Sequence, residues 1–256
     1  MTLFRAYQEE ARYFKYAFNA AGKVVEEAPL IVSPDKGILS RAMDASHIAM
    51  AVLEMPWEMF DEYEAPTEED ELIYGLDMEE VTRIVRRARV TDEFTLEAEN
   101  EEEVIVKLAS GGYEREFRLR SIEVEDIPDE PELDYTVEVT VVPDFVQDAV
   151  RDADLVSDTV KVGVEDGTFY FKAEGERGVV QPKVREGAEA LLSFDAEENV
   201  ETAYPLDYLK DMIQAAQGAE SVIIRLGEDM PLELEFRIGP AGEGRLKFYL
   251  APRVEE

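Results

Sequence analysis

Apolar residues recur at helical spacing in four segments of the chain and alternate with polar ones through much of the rest. Phe14, Phe18, Ala21 and Val25 fall at intervals of four, three and four, which predicts a helix over residues 8–27. Met78, Val81, Ile84, Val85 and Ala88 predict a second helix over 77–90, with Asp77 as its N-cap. Residues 143–156 and 207–217 read as the third and fourth, Asp207 again standing where a cap belongs. Strand-like stretches fill the intervals: 29–32, 38–43, 48–53, 94–98, 104–109 and 117–119, then 136–142, 159–164, 168–173, 179–184, 191–194, 222–226, 232–238 and 245–250. Two helices and many short strands per half describe an α+β protein with large antiparallel sheets.

The pattern repeats at half-length. Tyr74-Gly75-Leu76-Asp77 returns as Tyr204-Pro205-Leu206-Asp207, each at the opening of a helical segment. Ala17, Ala21 and Val24 have counterparts in Ala149, Ala153 and Val156, and Arg41-Ala42 in Lys172-Ala173. The offset stays near 131 in all three regions, which predicts two domains of one topology, 1–120 and 135–256. The join at 121–134 reads SIEVEDIPDEPELD, with seven acids, two prolines and no base, and predicts an extended connector. Val124 and Ile127 are apolar islands within it.

Composition narrows the chemistry. The 256 residues contain no cysteine and one histidine, His47, which excludes disulfides, thiolate nucleophiles, Cys-ligated metal and any site with two His ligands. No apolar run is long enough to span a bilayer, and the N-terminus has no secretory h-region, so a cytoplasmic protein is expected. There is no phosphate-loop or dinucleotide fingerprint and no nucleophile elbow. No catalytic residue, cofactor or metal is expected.

Charge then changes the picture. Sixty acids against 26 bases give a formal net charge of −34, which suggests a salt-rich cytoplasm that screens self-repulsion. Against that background residues 81–90, VTRIVRRARV, hold four arginines and no acid. On a continuous helix Arg83, Arg86 and Arg87 share a face opposite Val81, Ile84 and Val85. The other helices add Arg12, Lys15 and Lys23, then Arg151, then Lys210; with the arginine segment, Lys15, Arg151 and Lys210 could contact phosphates without reading sequence. Two strands look like sheet edges: 113–120, with Tyr113, Arg115, Phe117 and Arg118, and 177–185, with Arg177, Val179 and Lys183 around Pro182. Pairing of one with the other between copies, head to tail, closes a ring if the rotation allows.

Five segments then become recognisable: Arg41-Ala42-Met43-Asp44-Ala45-Ser46-His47-Ile48, Leu155-Val156-Ser157-Asp158, Lys172-Ala173-Glu174-Gly175-Glu176, Asp229-Met230-Pro231-Leu232, and the tail Leu250-Ala251-Pro252-Arg253-Val254-Glu255-Glu256. In order and nearly without gaps, the chain resembles the proliferating cell nuclear antigen family of archaeal and eukaryotic sliding clamps. The resemblance implies the DNA-clamp fold, and a homotrimeric, pseudo-sixfold ring around duplex DNA whose helices line the channel. It implies partners too: DNA polymerase, clamp loader, nuclease and ligase, each inserting a hydrophobic peptide plug beneath the connector. Carried over, that pocket comprises Met43, His47, Ile48, Val124, Ile127, Pro231, Leu250, Ala251 and Pro252. By position Lys15, Arg83, Arg86 and Arg151 match channel bases, whereas Asp148 and Gln214 stand where the eukaryotic pattern has a base. The competing reading is an acidic protein that imitates DNA and inhibits DNA-binding proteins; the acid-free arginine segment and the duplication argue against it.

Overall fold

The computed structural model describes residues 2–66, 71–124 and 126–253. The first half runs β1 (Phe4–Gln8), α1 (Arg12–Val24), β2 (Glu27–Ser33), β3 (Gly37–Met43), β4 (Ala49–Met55), β5 (Glu62–Glu64), β6 (Leu72–Asp77), α2 (Met78–Val85), β7 (Glu93–Ala98), β8 (Glu103–Ser110) and β9 (Tyr113–Arg120). The second runs β10 (Val137–Val141), α3 (Pro143–Asp154), β11 (Thr159–Glu165), β12 (Thr168–Gly175), β13 (Gly178–Val180), β14 (Lys183–Arg185), β15 (Leu191–Ala196), β16 (Val200–Pro205), α4 (Leu206–Met212), β17 (Ala219–Leu226), β18 (Leu232–Ile238) and β19 (Gly244–Leu250). A 3-10 turn, Ile213–Gly218, continues α4.

All the sheets are antiparallel, and their strand orders repeat between the halves. β5-β1-β7-β8-β9 in the first matches β15-β10-β17-β18-β19 in the second. The other sheet of each half runs β6-β2-β3-β4 and β16-β11-β12, the latter extended by β13 and β14 on the outer side of β12. β19 pairs with β4, from Arg245↔Glu54 to Leu250↔Ala49, and so fuses two half-sheets into one sheet of nine strands.

Alternation in that junction sets its two faces. Leu246, Phe248, Leu250, Ala49, Ala51 and Leu53 join the main core; Met50, Val52 and Tyr249 form a small apolar patch on the opposite face, where Leu133 of the connector packs. The helices lie together: α1 packs on α2, on α4 and on the 3-10 turn, and α3 packs on α4 and the same turn. α1 buries Phe14 against Phe94, rings stacked at 4.0 Å. Its small residues let α2 approach; a Cβ on Gly22 would lie 2.3 Å from Thr82 Oγ1.

The duplicated tyrosines have one structural job. Tyr74 and Tyr204 are fully buried near the ends of β6 and β16, and each hydroxyl donates to a main-chain carbonyl 26 residues onward, Asn100 O at 3.1 Å and Met230 O at 2.9 Å. Burial holds both hydroxyls protonated, Tyr74 being pushed up to about 12.

Several expectations need correction. The second helix ends at Val85, not 90: Arg87 and Ala88 donate back three residues, and Lys15 Nζ takes the Ala88 carbonyl at 2.6 Å. Asp77 caps α2, accepting from the N–H groups of Glu79 and Glu80, but Asp207 lies inside the first turn of α4, whose N-cap is Pro205. The expected strand over 179–184 splits into β13 and β14, because Pro182 has no N–H and serves only as acceptor, from Phe171 N at 3.0 Å. The strand expected from Ile48 begins at Ala49, after a turn in which His47 adopts φ 56°. β1, β5, β6 and β16 were not foreseen; the last two end in the repeated tyrosine segments.

Tyr74→Phe and Tyr204→Phe should each lower unfolding free energy by about 1 kcal/mol, since each leaves a buried carbonyl without its donor. The effects of the two, far apart and with no shared partner, should add. Denaturant midpoints of the three variants check this.

Candidate functional site

Three regions collect the residues singled out from the sequence. The first is the helix layer. Lys15 is half-buried and bound to the Ala88 carbonyl, which it reaches across the α1–α2 contact. Arg83 is exposed and pairs with Glu79 one turn back, at 2.5 Å. Arg86 and Arg87 sit on the turn after α2 rather than on its face; Arg86 Nε donates to the neutral amide oxygen of Asn19 at 2.8 Å. In the second half Arg151 donates to Gln147 at 2.9 Å and lies 3.7 Å from Asp148. Lys210 is held between Asp154 at 2.9 Å and Asp207 at 3.4 Å. Gln214 donates to the Lys210 carbonyl at 3.1 Å. The six bases thus share one helix layer, three of them beside carboxylates.

The second region is the pair of edge strands. Tyr113 and Val179 are exposed, the latter by 64%, and Arg177 and Lys183 are also exposed. Phe117 is half-buried against the core, and Arg118 is tied to Glu103 and Glu116 on its own sheet. Arg115 does not fit an edge role. Its guanidinium turns inward to the fully buried Asp92 at 2.5 Å and to the Arg87 carbonyl at 3.0 Å. The same Asp92 oxygen accepts from Arg89 N at 3.0 Å. A buried carboxylate requires such a partner, and here the pair pins the arginine turn to β9.

The third region is the face under the connector. Ile122 bridges to Gly75, where a Cβ would lie 2.0 Å from the Ile122 carbonyl, and Val124 packs on the same glycine. Further along, Asp129 approaches Arg41 at 3.9 Å, and Glu130 binds Lys247 and, at 2.6 Å, Tyr249 OH. The strap then reaches Thr136, whose N–H joins β17 through Leu226 O. It therefore crosses the nine-stranded sheet from β6 past the β4–β19 junction. Burial raises the Glu130 carboxyl, but the bonds from Lys247 and Tyr249 and the lysine charge outweigh it, leaving it below the ordinary range.

Met43, Ile48 and Ile127 are exposed by 39%, 37% and 36%, unusual for such side chains, and His47 Nδ1 lies 3.1 Å from Met43 Sδ. Pro231, Ala251 and Pro252 are half-buried. Two residues of the expected pocket are placed otherwise. Leu250 is fully buried in the core by the alternation of β19, and Val124 belongs to the β6 end of the strap, two strands from β3. The tail is held on both sides, Ala251 N to Ile48 O at 2.8 Å and Arg253 N to Ala203 O at 2.7 Å. Val254, Glu255 and Glu256 lie outside the described residues.

Two features were missed in the sequence. An open cavity of about 490 Å³ adjoins the tail, lined by Lys161, Glu201, Ala203, Asp229, Pro252 and Arg253. Asp229, Pro252 and Arg253 stood in the recognised segments, but nothing in the sequence joined them to Lys161, Glu201 and Ala203. The other is Asp44, which is buried and accepts from the N–H groups of Ser46, Ile48 and Ala49 and, at 2.9 Å, from Tyr208 OH on α4. It shapes the loop that presents His47 and Ile48 and ties that loop to the other half of the chain. Burial raises this carboxyl too, but the four hydrogen bonds hold it below the ordinary carboxylate range. Among the described residues no group of three or more His, Asp or Glu gathers to hold a metal, and no helix is long and apolar enough to cross a membrane.

Helices gathered on one face of duplicated sheets, with an acidic connector across the other, define a two-domain protein of the DNA-clamp class. Comparison with known proteins agrees. The family model for the proliferating cell nuclear antigen N-terminal domain matches residues 3–128, and that for its C-terminal domain matches 127–253. The chain is 84% identical to the DNA polymerase sliding clamp of Methanopyrus kandleri over the full length of both, and 38% identical to that of Pyrococcus furiosus over 97% of each. The crystal structure of PCNA from Thermococcus kodakaraensis superposes with a TM-score of 0.87 at 29% identity, covering 98% of this chain and 100% of that one. A chain of the PCNA2–PCNA3 complex from Sulfolobus tokodaii gives 0.88 at 25% identity, with the same coverage. The chain belongs to the proliferating cell nuclear antigen family.

Asp44→Asn should destabilise the protein by about 1–3 kcal/mol, because an amide cannot accept from four donors and turns one of its own N–H groups toward them. The carboxyl is lower in the folded than in the unfolded state, so its contribution is complete above an ordinary Asp value of about 4 and disappears as pH falls through the lowered one. Melting curves from pH 7 to pH 3 should show the wild type losing this increment, and the gap to the variant narrowing.

Proposed function

We propose that the chain is a non-catalytic sliding clamp: three copies close head to tail around duplex DNA and tether a replicative polymerase and other replication and repair proteins. The observation that carries this is the β19–β4 junction. Duplication makes β9 the counterpart of β19, and β13 with β14 the counterpart of β4. One chain already joins its halves through that strand pair, and it leaves the equivalent pair unjoined at its two extremes. Pairing β9 of one copy with β13 of the next repeats the junction and adds two domains per copy.

The repeat also suggests the register. Phe248 stands opposite Ala51 within the chain, so Phe117 would stand opposite Val180 of the partner subunit. Such a contact gives the exposed Tyr113 and Val179 a covering. A heterologous contact of this kind closes when the rotation per subunit divides a full turn. The helix layer then faces the channel, where Lys15, Arg83, Arg86 and Arg87 meet phosphates without reading bases. The outward face presents Met43, His47, Ile48, Ile127, Pro231, Ala251 and Pro252 as a seat for a partner's apolar plug, with the acidic connector attracting flanking bases. Tethering raises the partner's effective concentration at its template. Opening the ring falls to a separate loader, since this chain lacks a nucleotide motif.

Light scattering at molar salt should give a mass near three times 29.0 kDa. Removal of salt should bring partial dissociation, since three copies at −34 repel one another unscreened. A mass of one chain at every salt would remove the tethering mechanism and bring forward the inhibitor reading. Replacing Arg83, Arg86 and Arg87 together by alanine should abolish polymerase stimulation while leaving the trimer intact; unchanged stimulation would sink the channel assignment.

A further inference from the structure

The two halves match in topology but not in the charge of their helices. Residues 12–24 and 78–89 hold seven bases and two acids; residues 143–154 and 206–218 hold two bases and six acids. The exchange is position by position. At the offset that pairs Ala17 with Ala149, Arg12 corresponds to Asp144, Lys15 to Gln147 and Lys23 to Leu155. Asn19 to Arg151 runs the other way, as does Glu80 to Lys210 at the offset of the tyrosine repeat.

Pairing sharpens the contrast. Both bases of the second set are beside carboxylates, Lys210 between Asp154 and Asp207 and Arg151 near Asp148. Asp144 and Asp152 stay exposed. In the first set Arg12, Lys23 and Arg83 are likewise beside Glu10, Asp211 and Glu79, but Lys15 is bonded to a carbonyl and Arg86 to an amide, neutral partners that leave the positive charge uncompensated. Arg86, Arg87 and Arg89 are exposed, and none forms an ion pair among the described residues. The arginine turn is fixed in place by Arg115 and Asp92.

We propose that duplex DNA is held by the amino-terminal helices alone, so that the ring grips phosphates at three places and presents repelling acidic helices between them. The proposal rests on the ring reading and specifies which half of each subunit binds the DNA backbone. The geometry favours it most where salt is high. At 1 M salt the screening length is about 3 Å, so only bases able to touch a phosphate count, and those of the second half are already occupied by carboxylates. Three separated contact patches let the duplex pass from one to the next with less to release than six would.

Two double variants decide the matter, Arg86→Ala with Arg87→Ala and Arg151→Ala with Lys210→Ala. All four positions lie at or just beyond helix ends or on exposed turns, where alanine is tolerated. For each, trimer mass is checked first. Equilibrium binding to linear duplex, onto which a closed ring threads from an end, is then measured across a salt series, beside retention on a nicked circle ligated around the threaded ring. The first variant should reduce the slope of log K against log salt by up to roughly 5, since two contacts are lost in each of three copies and each removes about 0.9. The second should leave slope and affinity unchanged. Equal reductions from both variants, or a larger one from the second, would overturn the proposal. So would no reduction from either while the circle is still retained, an outcome that spares the ring. A wild-type protein not retained on the circle would instead overturn the ring reading and the proposal with it.

Discussion

The main-chain hydrogen bonds between β19 and β4 are the constraint on which the rest of the molecule depends. They place the last strand of the chain beside a strand of its first half and turn two half-sheets into one. The helices cross the same divide, α1 of the first half resting on α4 and the 3-10 turn of the second. The connector follows too. A chain that ends its first half at β9 and starts its second at β10 must cross the outer face of the sheet, and it does so over the junction, where Leu133 covers Met50, Val52 and Tyr249. The tail leaves β19 directly into the space between the Asp44 loop and β16.

Duplication with divergence explains where the two halves differ. What the fold needs in both halves has been kept: the buried tyrosines that reach a carbonyl 26 residues away, and the alanines that let helices approach. What it does not need has drifted apart. β4 is a full strand that pairs inside the chain, whereas its counterpart is divided at Pro182 into two short strands on an exposed edge. An interrupted, charged edge is protected against indiscriminate pairing, yet still offers three residues of ladder to a matched partner.

Electrostatics in this protein works by local arrangement rather than by total charge. A net charge of −34 would suggest avoidance of nucleic acid, but most surface bases sit in pairs with acids, and such pairs count for little in either direction. Among the described residues the bases without an ion pair gather mainly in two places, Arg86, Arg87 and Arg89 on the turn after α2 and Arg177, Lys183 and Arg185 along the β13–β14 edge. Two buried carboxylates serve structure instead. Asp92 fixes that turn to the edge strand through Arg115, and Asp44 fixes the loop carrying His47 and Ile48 to the opposite half through Tyr208.

Periodicity, the near-131 offset and the acidic run at 121–134 determined the fold class, the duplication and the existence of a connector, because these rest on local spacing and on chain composition. They also located the arginine segment and Ile127, whereas Met43 and Ile48 were singled out only by the family resemblance. Only the tertiary structure decided what those residues do. Helical spacing put Arg86 and Arg87 on a helix, but the helix stops at Val85 and Lys15, from a different element, holds the turn that follows through the Ala88 carbonyl. Alternation in 113–120 made Arg115 an edge residue, but a buried carboxylate 23 positions away draws it inward. The family resemblance placed Leu250 with Ala251 and Pro252 in the expected pocket, and the pleat of β19 turns it into the core. In each case a partner distant in sequence overrides the local pattern: burial and charge pairing depend on which residues meet in space.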